Sequence, residues 1–281
     1  MTVRAGQSAG SAARRYGPPL ALVAILLGVW EVYARASGVS HFVLPGPSQV
    51  LAALWDQRSE AIRQTVPTII ETAVGFSVSI VAATLAAVAL DRFPLARRAI
   101  EPLLIGSQTI PIIAIAPLII VWFGFGLMPK VLVVVLVTFF PITIALLDGF
   151  SSTTAEATEL MRSFGASPGE TFRKVRWPSG LPGFFTGLRI SATYAVVAAV
   201  IGEYVGATEG LGIWMQLNQK LFRVDLVFAA ILLSAVLSVG LYGVVVLAER
   251  AAIPWWRASR SATAGDSTRE PELESRAVGR A

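Results

Sequence analysis

The longest uncharged stretch of this chain, residues 102–129, places the strongest limit on its fold. A helix needs about 20 mostly apolar residues to cross a bilayer, and this stretch is longer than that. Charged side chains are scarce elsewhere too, at 15% of the 281 residues, against about 25% in a soluble domain. With 54% hydrophobic residues and no cysteine, the chain is also unlike a disordered protein or a disulfide-bonded secreted domain. The sequence therefore predicts an integral membrane protein.

Six segments are predicted to be transmembrane helices, so the expected fold is an all-α membrane protein. The segments are residues 18–33, 66–90, 103–124, 131–147, 183–202 and 226–248. If both termini are cytoplasmic, only six of the 23 basic residues fall on the opposite side of the membrane. Those six are Arg35, Arg58, Arg63, Lys130, Lys220 and Arg223. The positive-inside rule therefore favours cytoplasmic termini, and topology rather than nucleic-acid binding explains the basic charge.

The predicted organisation is a transmembrane domain between two cytoplasmic tails. The tails are residues 1–17 and 256–281, and the domain covers residues 18–255. We expect the C-terminal tail to be disordered, because it is rich in Ser, Thr, Arg and Glu without periodicity. A cleaved signal peptide is the alternative for the first span, but Tyr33 and Arg35 make a poor cleavage site. A retained helix is favoured.

One large cytoplasmic loop, residues 148–182, carries helix signals of its own. Thr153 followed by Glu156 is a capping-box pattern, which predicts the start of a short helix. Gly165 is positioned to end that helix. Apolar residues within it are spaced to share one face. They are Ala157, Leu160, Met161 and Phe164.

A second short helix is predicted after the first. Ser167 and Glu170 form another capping-box pattern with Pro168 at the first helical position. Pro178 is expected to stop this helix. The apolar stripe of the loop has two interpretations: a helix lying on the bilayer with its arginines on lipid phosphates, or a helix that docks in a groove of a cytoplasmic partner.

The spacing in this loop favours the second interpretation. Glu159, Gly165, Val175 and Trp177–Pro178 resemble the signature loop of binding-protein-dependent ABC importer permeases, which are inner-membrane components. The chain departs from the family pattern at four positions. They are Leu160, Met161, Val175 and Trp177. The resemblance implies the six-helix architecture of type I ABC importer permeases, with residues 148–182 as a coupling-helix loop that contacts an ATPase through Glu159 and Gly165. The apolar face described above is our own addition to that contact.

Other motifs resemble the nitrate, sulfonate and taurine group of these permeases. They are Leu44–Pro47, Gln108–Pro111, Pro117–Leu118, Trp122–Gly126, Gly202–Glu203 and Gly210–Gly212. Further motifs are similar to the branch that moves thiamine-precursor pyrimidines and riboflavin. They are Ser107–Thr109, Phe139–Pro141, Met161–Ser163, Phe184–Phe185 and Tyr194.

The chain lacks the residues that a catalytic subunit would need. It contains no G-x-x-x-x-G-K-[ST] phosphate loop, so ATP hydrolysis is expected on a separate subunit, with ATP and Mg²⁺ bound there. His41 is the only histidine, which argues against a metal site, and no Ser has a nearby His. We therefore expect no enzyme activity and no cofactor or metal in this chain.

Polar side chains inside the predicted spans are candidates for the translocation path, because they are costly in a bilayer. The candidates are Gln108, Thr109, Tyr194 and Glu203, with Glu71 and Thr193 as further possibilities. For Gln108, lining a path and bonding between helices are equally favoured. For Glu203, near the outer end of its span, a position at the membrane interface is favoured over a buried one.

The family resemblance implies a permease subunit of an ATP-driven importer in the bacterial cytoplasmic membrane. Its expected partners are cytoplasmic ABC ATPase subunits, an extracytoplasmic solute-binding protein, a second copy of the chain and membrane lipid. A pyrimidine thiamine precursor is the first choice of substrate, then riboflavin, with alkanesulfonate, taurine or nitrate as alternatives. An ion-coupled secondary carrier is the rival from another class, but the chain shows no convincing inverted repeat. A non-transporting membrane scaffold is a third possibility.

Overall fold

The structure, a computed structural model, describes residues 5–40 and 42–255, with side chains from residue 17 onward. His41 and the tail 256–281, which is predicted to be disordered, lie outside the described residues. The described chain is helical in nearly every part. Its α-helices are α1 (Ala5–Ala36), α2 (Pro47–Asp56), α3 (Arg58–Arg92), α4 (Pro94–Ser107), α5 (Ile112–Phe123), α6 (Leu127–Ser151), α7 (Ala155–Ser163), α8 (Pro168–Thr171), α9 (Trp177–Gly206), α10 (Leu211–Lys220) and α11 (Val224–Ala252). A π-helical turn, Phe172–Arg176, lies between α8 and α9.

The described residues contain five continuous helices long and apolar enough to cross a membrane. They are Gly17–Ala36, Arg58–Arg92, Leu127–Ser151, Pro168–Gly206 and Val224–Ala252. A bent pair, α4 with α5, passes the same test when the two helices are taken together. Counting that pair as one span gives the six spans that the sequence predicts.

The third predicted span, residues 103–124, is wrong as a single helix. α4 and α5 meet at 102° across a break between Ser107 and Ile112. Pro111 has φ −62° and ψ 118°, an extended conformation, and it precedes the first residue of α5. The proline ring lacks an N–H group and disfavours a helical conformation in the residue before it. The run of consecutive apolar residues predicts one span over residues 103–124, but Pro111 divides this stretch into two helices.

The described chain forms two compact units. The first combines the part up to Pro67 with Thr208–Ser234. Within it, the Glu31 carboxylate on α1 accepts hydrogen bonds from the Ser48 backbone N–H, at 2.9 Å, and from the Ser48 hydroxyl, at 2.6 Å. The Gln64 side-chain oxygen accepts the Gly210 N–H at 2.7 Å. These bonds tie the short helices α2 and α10 to the long helices of the same unit.

The second unit, Thr68–Ala207 and the chain from Ala235 onward, is built around the contact of α6 with α9. Four glycines make this contact close, and we call them the glycine seam. They are Gly149, Gly180, Gly183 and Gly187. A Cβ atom at Gly149 would lie 2.8 Å from the Gly180 carbonyl oxygen, and one at Gly187 would lie 2.9 Å from the Ile142 Cα. The helices therefore approach to backbone contact, as small residues allow in membrane proteins.

Apolar side chains from five helices, α3, α5, α6, α9 and α11, fill the core of this second unit. Fully buried alanines of α9, such as Ala192, Ala195 and Ala199, face buried residues of α6, such as Val134 and Ile142. α3 and α11 contribute to the same core. α9 is therefore packed against neighbouring helices. Its N-terminal end follows directly from the segment that carries the signature-loop residues.

Candidate functional site

The helix α7 begins one residue later than the sequence predicts. Its N-cap is Thr154, whose hydroxyl accepts the Ala157 N–H at 3.3 Å. The predicted capping box of Thr153 with Glu156 is wrong, and the Thr153 hydroxyl is buried without a hydrogen-bond partner. Two adjacent threonines offer the same chemistry, and only the backbone path decides which of them becomes the cap.

Gly165 ends α7, as predicted. Its φ is +76°, and a Cβ there would have nothing within 4 Å. The Gly165 N–H donates to the Arg162 carbonyl at 2.9 Å and the Ala166 N–H to the Met161 carbonyl at 3.0 Å. These two bonds form a Schellman motif, which needs a left-handed residue at this position. Backbone conformation, not lack of space, therefore requires glycine here.

The second capping box is confirmed, but the predicted end of its helix is wrong. Ser167 accepts the Glu170 N–H at 3.3 Å, and the Glu170 carboxylate accepts the Ser167 N–H at 3.0 Å. The chain then passes through the π-helical turn into α9 without stopping at Pro178. A π-helical turn widens the backbone locally, and Pro178 is one of the first residues of α9. The segment between α6 and α9 is therefore residues 152–176, shorter than the predicted loop 148–182.

The predicted apolar face of α7 divides into two parts. Leu160 and Phe164 are 58% and 78% exposed, whereas Ala157 and Met161 are half-buried. Glu159, the signature acid, is exposed and lies on the same short helix. Both residues lie outside the candidate membrane spans, where an exposed apolar pair is suited to a binding surface.

The 152–176 segment is tied to the body of the second unit by two contacts that sequence reasoning missed. Arg176 pairs with Asp91 at the end of α3, with 2.8 Å between Nη2 and Oδ1. Phe172 packs edge-on against Phe150 of α6, and Trp177 packs beside both. The partners lie far apart in the chain, so no local pattern reveals them.

The predicted path residues lie in two different environments. Gln108 and Thr109 are exposed at the break between α4 and α5, and the Thr109 hydroxyl donates to the Gly106 carbonyl at 2.8 Å. Tyr194 on α9 is 54% exposed. An exposed polar group on an apolar surface needs water or protein opposite it when a membrane surrounds the chain. These three residues are open to such a partner.

Glu203 lies in the other environment. Its side chain is fully buried, so the expected position at the membrane interface is wrong. The Thr68 hydroxyl donates to the Glu203 carboxylate at 2.6 Å. The same face of α3 carries Glu71, which pairs with Lys130 of α6 at 2.5 Å between Nζ and Oε1. Proximity to a span end does not predict burial here, because Thr68 of α3 packs against the Glu203 carboxylate.

Lys130 is a functional candidate that the sequence reading left unnoticed. The sequence predicts it only as one of the six basic residues on the outer side of the membrane. The structure pairs its ammonium group with the buried Glu71 and leaves the Lys130 side chain 11% exposed. The available signal was Glu71, a lone acid in an apolar span, which requires a cationic or hydrogen-bonding partner.

Among the residues that the structure describes, no group of three His, Cys, Asp or Glu side chains is arranged to hold a metal ion.

Comparison with known proteins gives matches over most of the chain. Residues 75–253 match the family model described as binding-protein-dependent transport system inner membrane component. A probable ABC transporter permease protein of Haemophilus influenzae is 36% identical over 224 residues, which cover 80% of this chain and 91% of that protein.

Two further relatives have more specific names. The formylaminopyrimidine transport permease protein ThiX of Halalkalibacterium halodurans is 36% identical, with 84% of this chain and 95% of the relative covered. The riboflavin transport system permease protein RibX of Chloroflexus aurantiacus is 34% identical, with 85% and 90% covered. The fold is similar to a solved inward-facing structure of the MetNI methionine ABC transporter, at 20% identity and a TM-score of 0.54, over 71% of this chain and 97% of the solved chain.

Proposed function

The chain belongs to the family of inner membrane components of binding-protein-dependent transport systems and is an ABC importer permease subunit, and from this premise we propose that it imports a pyrimidine thiamine precursor or riboflavin. The permease is a multi-pass membrane protein and not the catalytic subunit of its transporter. The names of the two relatives at 36% and 34% identity support this choice of substrate. Alkanesulfonate, taurine or nitrate is the alternative.

The exposed face of α7 is the observation that supports the coupling role. Leu160 and Phe164 are the apolar residues that a cytoplasmic ATPase would cover, with Glu159 beside them. An apolar helix face that docks in a groove is a common mode of recognition. In this proposal both termini are cytoplasmic, and ATP with Mg²⁺ is bound by the partner ATPase.

The helix that runs from Pro168 to Gly206 supplies a direct route for force. α8, the π-helical turn and α9 form one continuous helix of 39 residues. A displacement of α7 by the ATPase therefore reaches this transmembrane helix through only the short turn at residues 164–167. Because α9 is packed against α6 at the glycine seam, we propose that the two helices move together between inward-facing and outward-facing states.

The translocation path in this proposal lies between two copies of the chain. Gln108, Thr109 and Tyr194 are polar and exposed in one copy, so a water-filled path beside them would satisfy their hydrogen bonds. A solute-binding protein delivers the substrate to the outer end of this path. Glu203 is buried within one copy and does not face the path in this conformation.

The coupling role is tested by substitution of Gly165. Gly165→Arg should abolish substrate-dependent transport in proteoliposomes that contain the permease, its ATPase and its binding protein, because an arginine at φ +76° disrupts the end of α7. Gly165→Asn should keep partial transport, since Asn tolerates this conformation. Charge reversal in Glu159→Lys should uncouple transport without loss of membrane insertion.

A matched control is available in Gly38. Its φ is +69°, and a Cβ there also has nothing within 4 Å, so Gly38→Arg introduces the same strain outside the 152–176 segment. This variant should retain transport. Full transport by Gly165→Arg would overturn the coupling role. Uptake that persists after the ATPase is inactivated, and stops with an uncoupler, would favour an ion-coupled carrier instead.

The substrate is tested by the ligand dependence of ATP hydrolysis. The binding protein loaded with formylaminopyrimidine should stimulate the ATPase of the reconstituted transporter more than riboflavin, and both more than taurine, an alkanesulfonate or nitrate. Stimulation by one of the last three alone would reject the proposed substrates and leave the permease assignment unchanged.

The path is tested with single cysteines, because the chain has no native cysteine. Tyr194→Cys should react with a membrane-impermeant thiol reagent, and addition of substrate should slow the reaction. Ala195→Cys is the buried control, since Ala195 is fully buried. Equal labelling of both variants, or no labelling of Tyr194→Cys in any state of the transporter, would exclude Tyr194 from a water-filled path.

A further inference from the structure

A cavity of about 750 Å³ lies between the end of α3 and the 152–176 segment, within the second unit. Two kinds of side chain line it. The apolar part includes Leu85, Val88 and Phe93, and the polar part includes Arg92 and Arg162. This combination suits a ligand that has both an anionic group and a hydrocarbon portion.

The charge of the cavity is unbalanced. Asp91, its one acidic residue, is paired with Arg176 at 2.8 Å. Arg92 and Arg162 form no ion pair with any residue that the structure describes. Two guanidinium groups beside an apolar wall therefore lack a counter-ion. A phosphate group matches the donor geometry of arginine well.

The apolar wall continues beyond the cavity along α3. Val78, Val81 and Leu85 are exposed and lie on one face of the helix. The distance along the helix axis from Val78 to Arg92 is about 21 Å, which is enough to follow one leaflet of a bilayer whose hydrocarbon core is about 30 Å thick. A soluble anion would use only the arginines, whereas a lipid would use the whole strip.

The cavity and the proposed ATPase contact use different faces of α7. Thr158 and Arg162 line the cavity, and Leu160 and Phe164 are the most exposed apolar residues of the segment. At 100° per residue these two pairs lie on opposite sides of the helix. An occupant of the cavity would therefore not compete with a protein bound to the exposed face.

We propose that this cavity binds an anionic phospholipid, with its phosphate between Arg92 and Arg162 and an acyl chain along Val78, Val81 and Leu85. Basic pockets at the cytoplasmic ends of transmembrane helices recognise such headgroups. The bound lipid connects α3 to the segment that receives force, so anionic lipid should raise transport. The cytoplasmic position of the cavity rests on the proposed function, but lipid binding itself does not.

The test is lipid binding to the purified permease alone, measured by native mass spectrometry in detergent with added phosphatidylglycerol, phosphatidylcholine or inorganic phosphate. The wild type should retain phosphatidylglycerol in preference to phosphatidylcholine. Arg92→Gln with Arg162→Gln should weaken phosphatidylglycerol binding about 30-fold, from about 1 kcal/mol for each basic residue at a membrane surface. Arg98→Gln with Arg173→Gln is the control, because both arginines are exposed and neither lines the cavity.

A second variant separates a lipid from a free anion. Leu85→Gln should weaken phosphatidylglycerol binding while any binding of inorganic phosphate stays the same. Equal retention of phosphatidylcholine, equal losses in the two arginine pairs, or competition by inorganic phosphate at the concentration of the lipid would overturn the proposal. Loss of ATPase binding in Arg92→Gln with Arg162→Gln, with lipid retention unchanged, would overturn it in favour of a protein contact. Because no ATPase or substrate is present in the lipid measurement, its failure leaves the transport proposal intact.

Discussion

The glycine seam and the 152–176 segment both depend on glycine, but for opposite physical reasons. At the seam, the neighbouring helix occupies the position of a Cβ, as between Gly149 and the Gly180 backbone. At Gly165 the space is open, and the positive φ alone requires glycine. The first arrangement fixes two helices to each other. The second turns the chain sharply and leaves an apolar face uncovered. Stability and partner binding are thus assigned to different regions of one chain, and substitutions in the two regions should have different effects.

The largest effect is expected at the seam. In Gly183→Leu the new side chain would meet the Ala145 carbonyl oxygen and the Gly149 backbone, and backbone atoms cannot move aside as side chains can. The loss should exceed about 5 kcal/mol of unfolding free energy, so folded protein should be absent after purification in detergent. Size-exclusion chromatography and circular dichroism would measure this.

Gly240→Leu is the matched control for that substitution. Gly240 also lies inside a long helix, α11, but a Cβ there would have nothing within 4 Å. We expect this variant to fold normally, since leucine has a better helix propensity than glycine. Normal folding of Gly183→Leu would show that α6 and α9 are not in backbone contact.

The second largest effect is expected at the ion pair between Lys130 of α6 and Glu71 of α3. Lys130→Met leaves the Glu71 carboxylate buried without its cation, which should cost about 3–5 kcal/mol. The double variant Lys130→Met with Glu71→Met removes both charges and should recover most of the lost stability. Thermal unfolding in detergent compares the two. A double variant as unstable as the single one would mean that the pair does not act as a unit.

A smaller effect is expected at the start of α7. Thr154→Ala removes the N-cap hydrogen bond to Ala157 and should cost about 1 kcal/mol. Thr153→Ala, its neighbour, removes a buried hydroxyl that has no partner and should cost less. Hydrogen exchange of the α7 amides reports this local difference. A larger loss of stability in Thr153→Ala than in Thr154→Ala would instead support the capping box of Thr153 with Glu156 that the sequence predicts.

The smallest effect on stability is expected on the exposed face. Phe164→Ser should change the unfolding free energy by less than about 0.5 kcal/mol, because Phe164 is 78% exposed. Under the proposed function the same variant should lose most of its transport, since the ATPase loses an apolar contact. A large fall in thermal stability would place Phe164 among the residues that support the fold instead.

Sequence patterns predicted the local features of the 152–176 segment well. Gly165 and the Ser167–Glu170 box were predicted correctly because caps depend on residues only a few positions apart. Pro178 was misread because the π-helical turn that admits it has no pattern in the sequence. The capping box predicted at Thr153 is wrong because the adjacent Thr154 carries the same capping signal.

Local sequence patterns do not predict contacts between residues that are far apart in the chain. Lys130 and Glu71 are 59 residues apart, and Arg176 meets Asp91 only because the 152–176 segment folds back toward α3. Glu203 was misplaced for the same reason: its burial depends on helices that pack around it. Hydropathy finds which segments enter the membrane, but not which of their polar residues face one another.

The break between α4 and α5 has a consequence for how the protein is made. At 14 and 12 residues, the two helices are about 21 and 18 Å long, so neither crosses a hydrocarbon core of about 30 Å by itself. α5 packs against α6 and α9, which follow it in the chain. A nascent chain that has reached only Phe123 therefore lacks the α6 and α9 surfaces on which α5 packs, and we expect the bent arrangement of α4 and α5 to form only after α6 and α9 have been synthesised.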